Sequence, residues 1–156
     1  MAYEKCRLAD RTAEAFLPLL PHSDAFDIVE DCDGWGHERV EREFGADVRS
    51  IVAELTEDKS LGWEERKQAG IDHAHAMSPP ALAVKAADKL HNLRTLIADL
   101  RTGASPERVW ARFRGGRERT LMLSRALVAE LEPRVEARLG RALREAIDEL
   151  ERLARP

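Results

Sequence analysis

An all-α domain is what this sequence predicts, and three observations carry that expectation. Apolar residues recur at intervals of three and four along most of the chain. The composition favours Leu, Ala, Arg and Glu while aromatics make up only 5%, and Ser-Pro pairs stand where helices would begin. A chain of 156 residues suits one core and buries roughly two-thirds of its unfolded surface. The expected architecture is a single compact multi-helix domain closed by a long C-terminal amphipathic helix.

The elements follow in order. Residues 3–20 can form a helix burying Leu8, Thr12, Ala15, Phe16 and Leu19, interrupted at its end by Pro18 and Pro21. Ser23 then caps a short acidic helix holding Asp24, Asp27, Ile28, Glu30 and Asp31, which Gly34-Trp35-Gly36 ends. The charged run from Glu38 to Phe44 reads as a short solvated helix with Gly45 just past its end. From Asp47, the spacing of Val48, Ile51, Val52 and Leu55 predicts a core helix.

After the loop Thr56-Glu57-Asp58-Lys59-Ser60, a polar helix runs from Glu64 to about His75. Ser78 as N-cap and Pro79 in the first turn then launch the longest helix. It places Ala86, Leu90, Leu93, Ile97 and Leu100 on one side and Lys85, Asp88, Asn92 and Asp99 on the other. Ser105-Pro106-Glu107 repeats the start signal for Val109, Trp110 and Phe113, with Gly115-Gly116 as the stop. Two closing helices carry Leu121, Ser124, Val128 and Leu131, then Val135, Leu139, Leu143, Ile147 and Leu150. By organisation, residues 1–25 form an N-terminal helical segment, 26–132 the main domain and 133–156 the C-terminal amphipathic helix.

Composition excludes several classes of function. The net charge of −4 does not advertise the whole molecule to nucleic acid or anionic membrane. Cys6 and Cys32 have neither CxxC spacing nor a histidine at zinc-finger spacing, so the reducing cytoplasm is the expected compartment. No signal peptide or membrane span is expected: the apolar run Ala15 to Leu20 is short, broken by Pro18 and preceded by acidic residues. No Ser-His-Asp or Cys-His arrangement, phosphate loop or HExxH pattern occurs.

Chemistry concentrates elsewhere. Residues 24–33 hold Asp24, Asp27, Glu30, Asp31 and Asp33 and no base. Carboxylates so close repel unless donors or a cation intervene, although a solvated acidic helix would also read this way. Asp27, Glu30 and Asp31 share a helix face, an arrangement that can divide into metal ligand and water-activating base. Asp88 adds a fourth carboxylate if the two helices meet. Arg101, Arg108, Arg112, Arg114, Arg117 and Arg119, against Glu107 and Glu118, give a local charge of +4. Guanidinium forks suit phosphate oxygens, while arginine-rich helices are also simply soluble.

At these residues the sequence resembles a known family. Phe26-Asp27-Ile28-Val29-Glu30-Asp31 resembles the His-Asp-x-Val-Glu-Asp segment of HD-domain (p)ppGpp hydrolases, the RelA/SpoT group and its small stand-alone relatives. Glu43-Phe44-Gly45-Ala46-Asp47-Val48 and Leu55-Thr56-Glu57-Asp58-Lys59 are similar to its Phe-Gly-x-x-Val and Thr-Asp-Asp-Lys patterns. Glu65-Arg66-Lys67 also recurs there, and Ala87-Asp88-Lys89-Leu90-His91-Asn92-Leu93 resembles its Ala-Asp-Lys-Leu-x-Asn-Leu helix.

The resemblance implies an HD-type, metal-dependent hydrolase of the stringent response that removes 3′ pyrophosphate from ppGpp, usually with Mn²⁺. It implies Asp27 and Asp88 as metal ligands, and Glu30 and Asp31 as the pair that positions and activates water. Lys59, Asn92 and Arg108 match positions that contact nucleotide or phosphate. Two departures stand out. Phe26 replaces the histidine before Asp27, and the family's other histidine would fall at or before Met1, so the chain reads as a truncated or degenerate member. The alternative is a catalytically inactive nucleotide-sensing or protein-interaction module on the same fold. Nucleic-acid binding through Arg101 to Arg119 is a third and weaker reading, and no membrane partner is expected.

Overall fold

A computed structural model of the chain describes Val29, residues 34–102 and residues 105–155. The described residues form seven α-helices and a short 3₁₀ turn, with no strand among them. The all-α expectation is met. The chain divides into two compact units, Met1–Asp58 and Lys59–Pro156. The helices expected over residues 3–20 and 23–33 lie outside the described residues, apart from Val29, which is helical.

In the first unit, α1 (His37–Phe44) and α2 (Ala46–Leu55) pack against each other. Gly45 joins them at φ 89°, a left-handed backbone that a side chain would strain, so one glycine ends α1 and starts α2. The unit's core is small: Trp35, Val40 and Val52, with Val29 and Phe44 partly buried against them. Trp35 stacks on Phe44 with ring centroids 6.0 Å apart, and the Arg39 guanidinium lies 4.0 Å above the indole.

Two expectations are corrected here. The helix read as solvated buries Val40 to 1% exposure, while the one read as core buries only Val52 and leaves Val48 exposed at 36%. Residues 40 and 44 fall one turn apart, and Val40 and Phe44 pack with Trp35.

The second unit begins with Lys59 and contains α3 (Trp63–Ala74), α4 (Pro79–Arg101), α5 (Pro106–Trp110), α6 (Gly116–Leu131), the 3₁₀ turn Glu132–Arg134 and α7 (Ala137–Leu153). The Glu65 carboxylate accepts a hydrogen bond from the Gly62 N–H at 2.9 Å, closing the entry to α3. Ser78 caps α4 as expected, its hydroxyl oxygen accepting from the Ala81 N–H at 3.4 Å with proline in the first turn. At α7 the Glu136 carboxylate caps, accepting from Arg138 and Leu139 N–H groups at 2.9 and 3.2 Å.

Packing follows the apolar stripes. Helix α7 lies along α4, α3 lies on α6, and α6 touches both α4 and α7. Leu143, Ile147 and Leu150 of α7 are fully enclosed, each contributing about 1.5–3 kcal/mol by burial. The C-terminal amphipathic helix thus packs on its own unit. Gly140 lets α7 cross the preceding turn closely: a Cβ there would sit 2.6 Å from the Glu132 carbonyl oxygen. Among the described residues no helix is long and apolar enough to cross a membrane.

Candidate functional site

Helix α4 supplies the described part of the site. Its buried side consists of Ala81, Leu82, Ala86, Leu90, Leu93, Leu96 and Ile97, close to the set expected from periodicity. That burial turns Asp88 and Asn92 to the other side, where Asp88 is half-buried and Asn92 exposed. The Asn92 amide nitrogen donates to both carboxylate oxygens of Asp88 at 3.1 Å each. One helical turn therefore presents a carboxylate oriented by a neutral amide.

Basic groups gather beside this pair. The Lys85 ammonium packs over Gly70 of α3, 3.6 Å from where a Cβ on that glycine would be. Lys89 reaches away from solvent, and its amino group donates to the Ser124 hydroxyl of α6 at 2.8 Å. Burial pushes the Lys89 amino group down to about 8; the Asp88 carboxylate opposes that shift, and Lys67 and Lys85 add to it. Sequence reasoning placed Ser124 on an apolar stripe and passed over Lys89. The signal was there: a serine at a core position needs a buried donor or acceptor.

The other expected residues divide. Lys59 is exposed in the loop before α3. Arg108 is exposed on α5, a helix packed against α4. Asp27, Glu30 and Asp31, and with them Phe26, lie outside the described residues. Among the described residues no group of three or more His, Cys, Asp and Glu could hold a metal ion. His91 is exposed, and the ring of His75 is engaged with the Asp72 carbonyl.

The arginine cluster is partly consumed within the fold. Arg101 pairs with Glu149, Arg112 with Asp99, and Arg119 with Glu64 at 2.5 Å. Arg117 donates to the Ala154 carbonyl at 3.3 Å. Arg108 and Arg114 have no ion-pair partner among the described residues. A charge count along the sequence could not show this, because Glu64 and Glu149 are remote from the cluster in the chain.

No protein-family model matches the chain. It is 46% identical over 91 residues to the MESH1 guanosine-3′,5′-bis(diphosphate) 3′-pyrophosphohydrolase of Drosophila melanogaster, which covers 55% of this chain and 50% of the fly protein. The chain spans about half the length of the curated relatives it matches. Among solved structures, a metazoan orthologue of SpoT, described as hydrolysing ppGpp and acting in starvation responses, is 33% identical with a TM-score of 0.66. That match covers 90% of this chain and 72% of the orthologue. A Listeria monocytogenes EGD-e protein shares the fold at a TM-score of 0.71 and 23% identity, over 98% of this chain and 96% of its own.

Proposed function

The chain belongs to the family of HD-domain (p)ppGpp hydrolases, and from that membership we propose that it is a metal-dependent phosphohydrolase removing pyrophosphate from the 3′ position of a guanosine polyphosphate. The observation that carries the reading is the Asp88–Asn92 pair, a carboxylate held by an amide on the polar side of a helix buried along its other side. The relatives at 46% identity over 91 residues are named for this reaction.

Asp88 offers the hard oxygen donor that a divalent cation such as Mn²⁺ takes, and by the family pattern Asp27 would be a further ligand. When bound, such an ion supplies a Lewis acid and acidifies a water. Glu30 and Asp31 would orient the attacking water and accept its proton. Asn92 holds the nucleotide beside the reacting phosphate, while Lys59 and Arg108 neutralise phosphate oxygens. Arg108 suits this role because it is exposed and has no ion-pair partner among the described residues. We place the reaction in the cytoplasm, in keeping with two cysteines whose spacing suggests no disulfide framework.

A second reading has one specific observation behind it: Phe26 precedes Asp27 where the family pattern has a metal-ligating histidine. On that reading the protein binds the nucleotide and leaves it intact. Incubation with ppGpp and Mn²⁺, followed by phosphorus NMR, separates the two. Release of pyrophosphate with guanosine 5′-diphosphate as co-product supports the hydrolase, and stable ppGpp bound at equilibrium supports the sensor.

A further inference from the structure

We infer that Lys89 and Ser124 form a positioning pair that fixes the rotation of α4 about its axis, and with it the direction in which Asp88 and Asn92 point. Ser124 is 4% exposed and is the buried polar side chain of the described core; its hydroxyl accepts from the Lys89 amino group at 2.8 Å across the α4–α6 interface. The buried residues around this level of the two helices are mostly hydrocarbon, Ala86, Leu90 and Leu93 on α4 and Leu123 and Val128 on α6, and the Thr120 hydroxyl one turn before Ser124 is buried without a hydrogen-bond partner among the described residues.

Hydrocarbon contacts are non-directional and tolerate a small roll of one helix on another. A hydrogen bond at this length does not. Helix α4 also carries the ion pairs of Asp99 and Arg101, but these lie near its C-terminal end, three to nearly four turns beyond Asp88, while Lys85 and Asp88 make contacts of their own. Lys89 directly follows Asp88 and lies three residues before Asn92, so it anchors the turn that matters. A roll of about 20° moves side-chain atoms at the helix surface by roughly 2 Å. Displacements of that order in a reacting site reduce rate on the order of 100-fold. An enclosed ammonium beside a serine is also an expensive way to fill space that leucine and alanine would fill more cheaply, and directional registry is the best-attested return on such a group.

The kinetic part of this inference rests on the hydrolase reading; the structural part does not. Ser124→Ala, Lys89→Met and the double variant are compared with the wild-type chain by thermal melting, by the ¹⁵N NMR signal of the Asn92 side-chain amide (identified by its loss in Asn92→Asp), and by kcat and KM for ppGpp with Mn²⁺. The expected result is folded single variants, a shifted or broadened Asn92 amide, and kcat lowered by about 10-fold or more with KM changed less than about threefold. The double variant is expected to lose no more than either single one, since both remove the same bond. If Lys89→Met fails to fold, Ser124→Ala carries the test, since it removes one oxygen atom. An unmoved Asn92 signal, or a moved one with unchanged kcat, overturns the inference. A wild-type chain that releases no pyrophosphate fails the reading of function, and the Asn92 signal then decides the positioning role alone.

Discussion

Ser78 and Ser105 precede prolines in the same way, yet their hydroxyls act differently. Ser78 accepts from the Ala81 N–H and caps a helix of 23 residues, while Ser105 turns its hydroxyl to the Glu107 carboxylate at the start of a five-residue helix. That hydrogen bond favours the ionised carboxyl and holds Glu107 below its usual range. Because the folded value is lower than the unfolded one, the contribution to stability is present above the unfolded value and is lost as pH falls through the folded one. Ser105→Ala is therefore expected to return the Glu107 titration, followed by carboxyl ¹³C NMR, towards the ordinary glutamate value. Arg108 belongs to the same short helix and has no ion-pair partner among the described residues. Under the hydrolase reading, Arg108→Ala is expected to raise KM for ppGpp by about 10-fold, as loss of one charge-assisted phosphate contact would, with a smaller effect on kcat. An unchanged KM would remove Arg108 from the site. These residues were legible as types suited to phosphate, but their free or engaged state was not, since it depends on partners from distant helices.

Helix α7 shows how much of an element the sequence carries. The spacing of Val135, Leu139, Leu143, Ile147 and Leu150 predicted the helix; Val135 falls before its start, Leu139 is half-buried, and the other three are enclosed against α4 and its neighbours. Leu143→Ala is expected to cost about 2–5 kcal/mol in chemical denaturation, the range for a large-to-small change in a packed core. Gly140 was not legible in this role. In the sequence it is a poor helix former between Leu139 and Arg141, and only the crossing over the Glu132 carbonyl explains it. Gly140→Ala is thus expected to destabilise by about 1–3 kcal/mol through overpacking, although alanine is the better helix former. A more stable Gly140→Ala variant would contradict the close crossing. Helices α1 and α2 went the other way, because periodicity marks a stripe without saying how much apolar surface awaits it. Among the described residues of α2 only Val52 is buried, while Val40 of α1 is enclosed with Trp35.

At the scale of the whole molecule, helix-type composition, Ser-Pro starts and apolar spacing made the all-α class legible, and the ordered motifs made the family legible. Within α4 the site was legible too, since a period of 3.6 residues alone puts Asp88 and Asn92 on one side. What sequence could not supply were pairings between elements: Lys89 with Ser124, Arg119 with Glu64, Arg101 with Glu149. The ion pairs of Arg101, Arg112 and Arg119 reduce the apparent basic patch between Arg101 and Arg119 without removing it. With a net charge of −4, the chain is expected to show no binding to a mixed-sequence oligonucleotide at about 0.15 M salt. Tight binding with a steep salt dependence would contradict that expectation. The central claim is that the Asp88 face of α4 carries phosphohydrolase chemistry, and Asp88→Asn tests it most directly because amide for carboxylate preserves shape while removing charge. Pyrophosphate release from ppGpp with saturating Mn²⁺ is expected from the wild-type chain and to fall on the order of 100-fold or more in the folded variant. Equal rates from the two proteins would contradict the account.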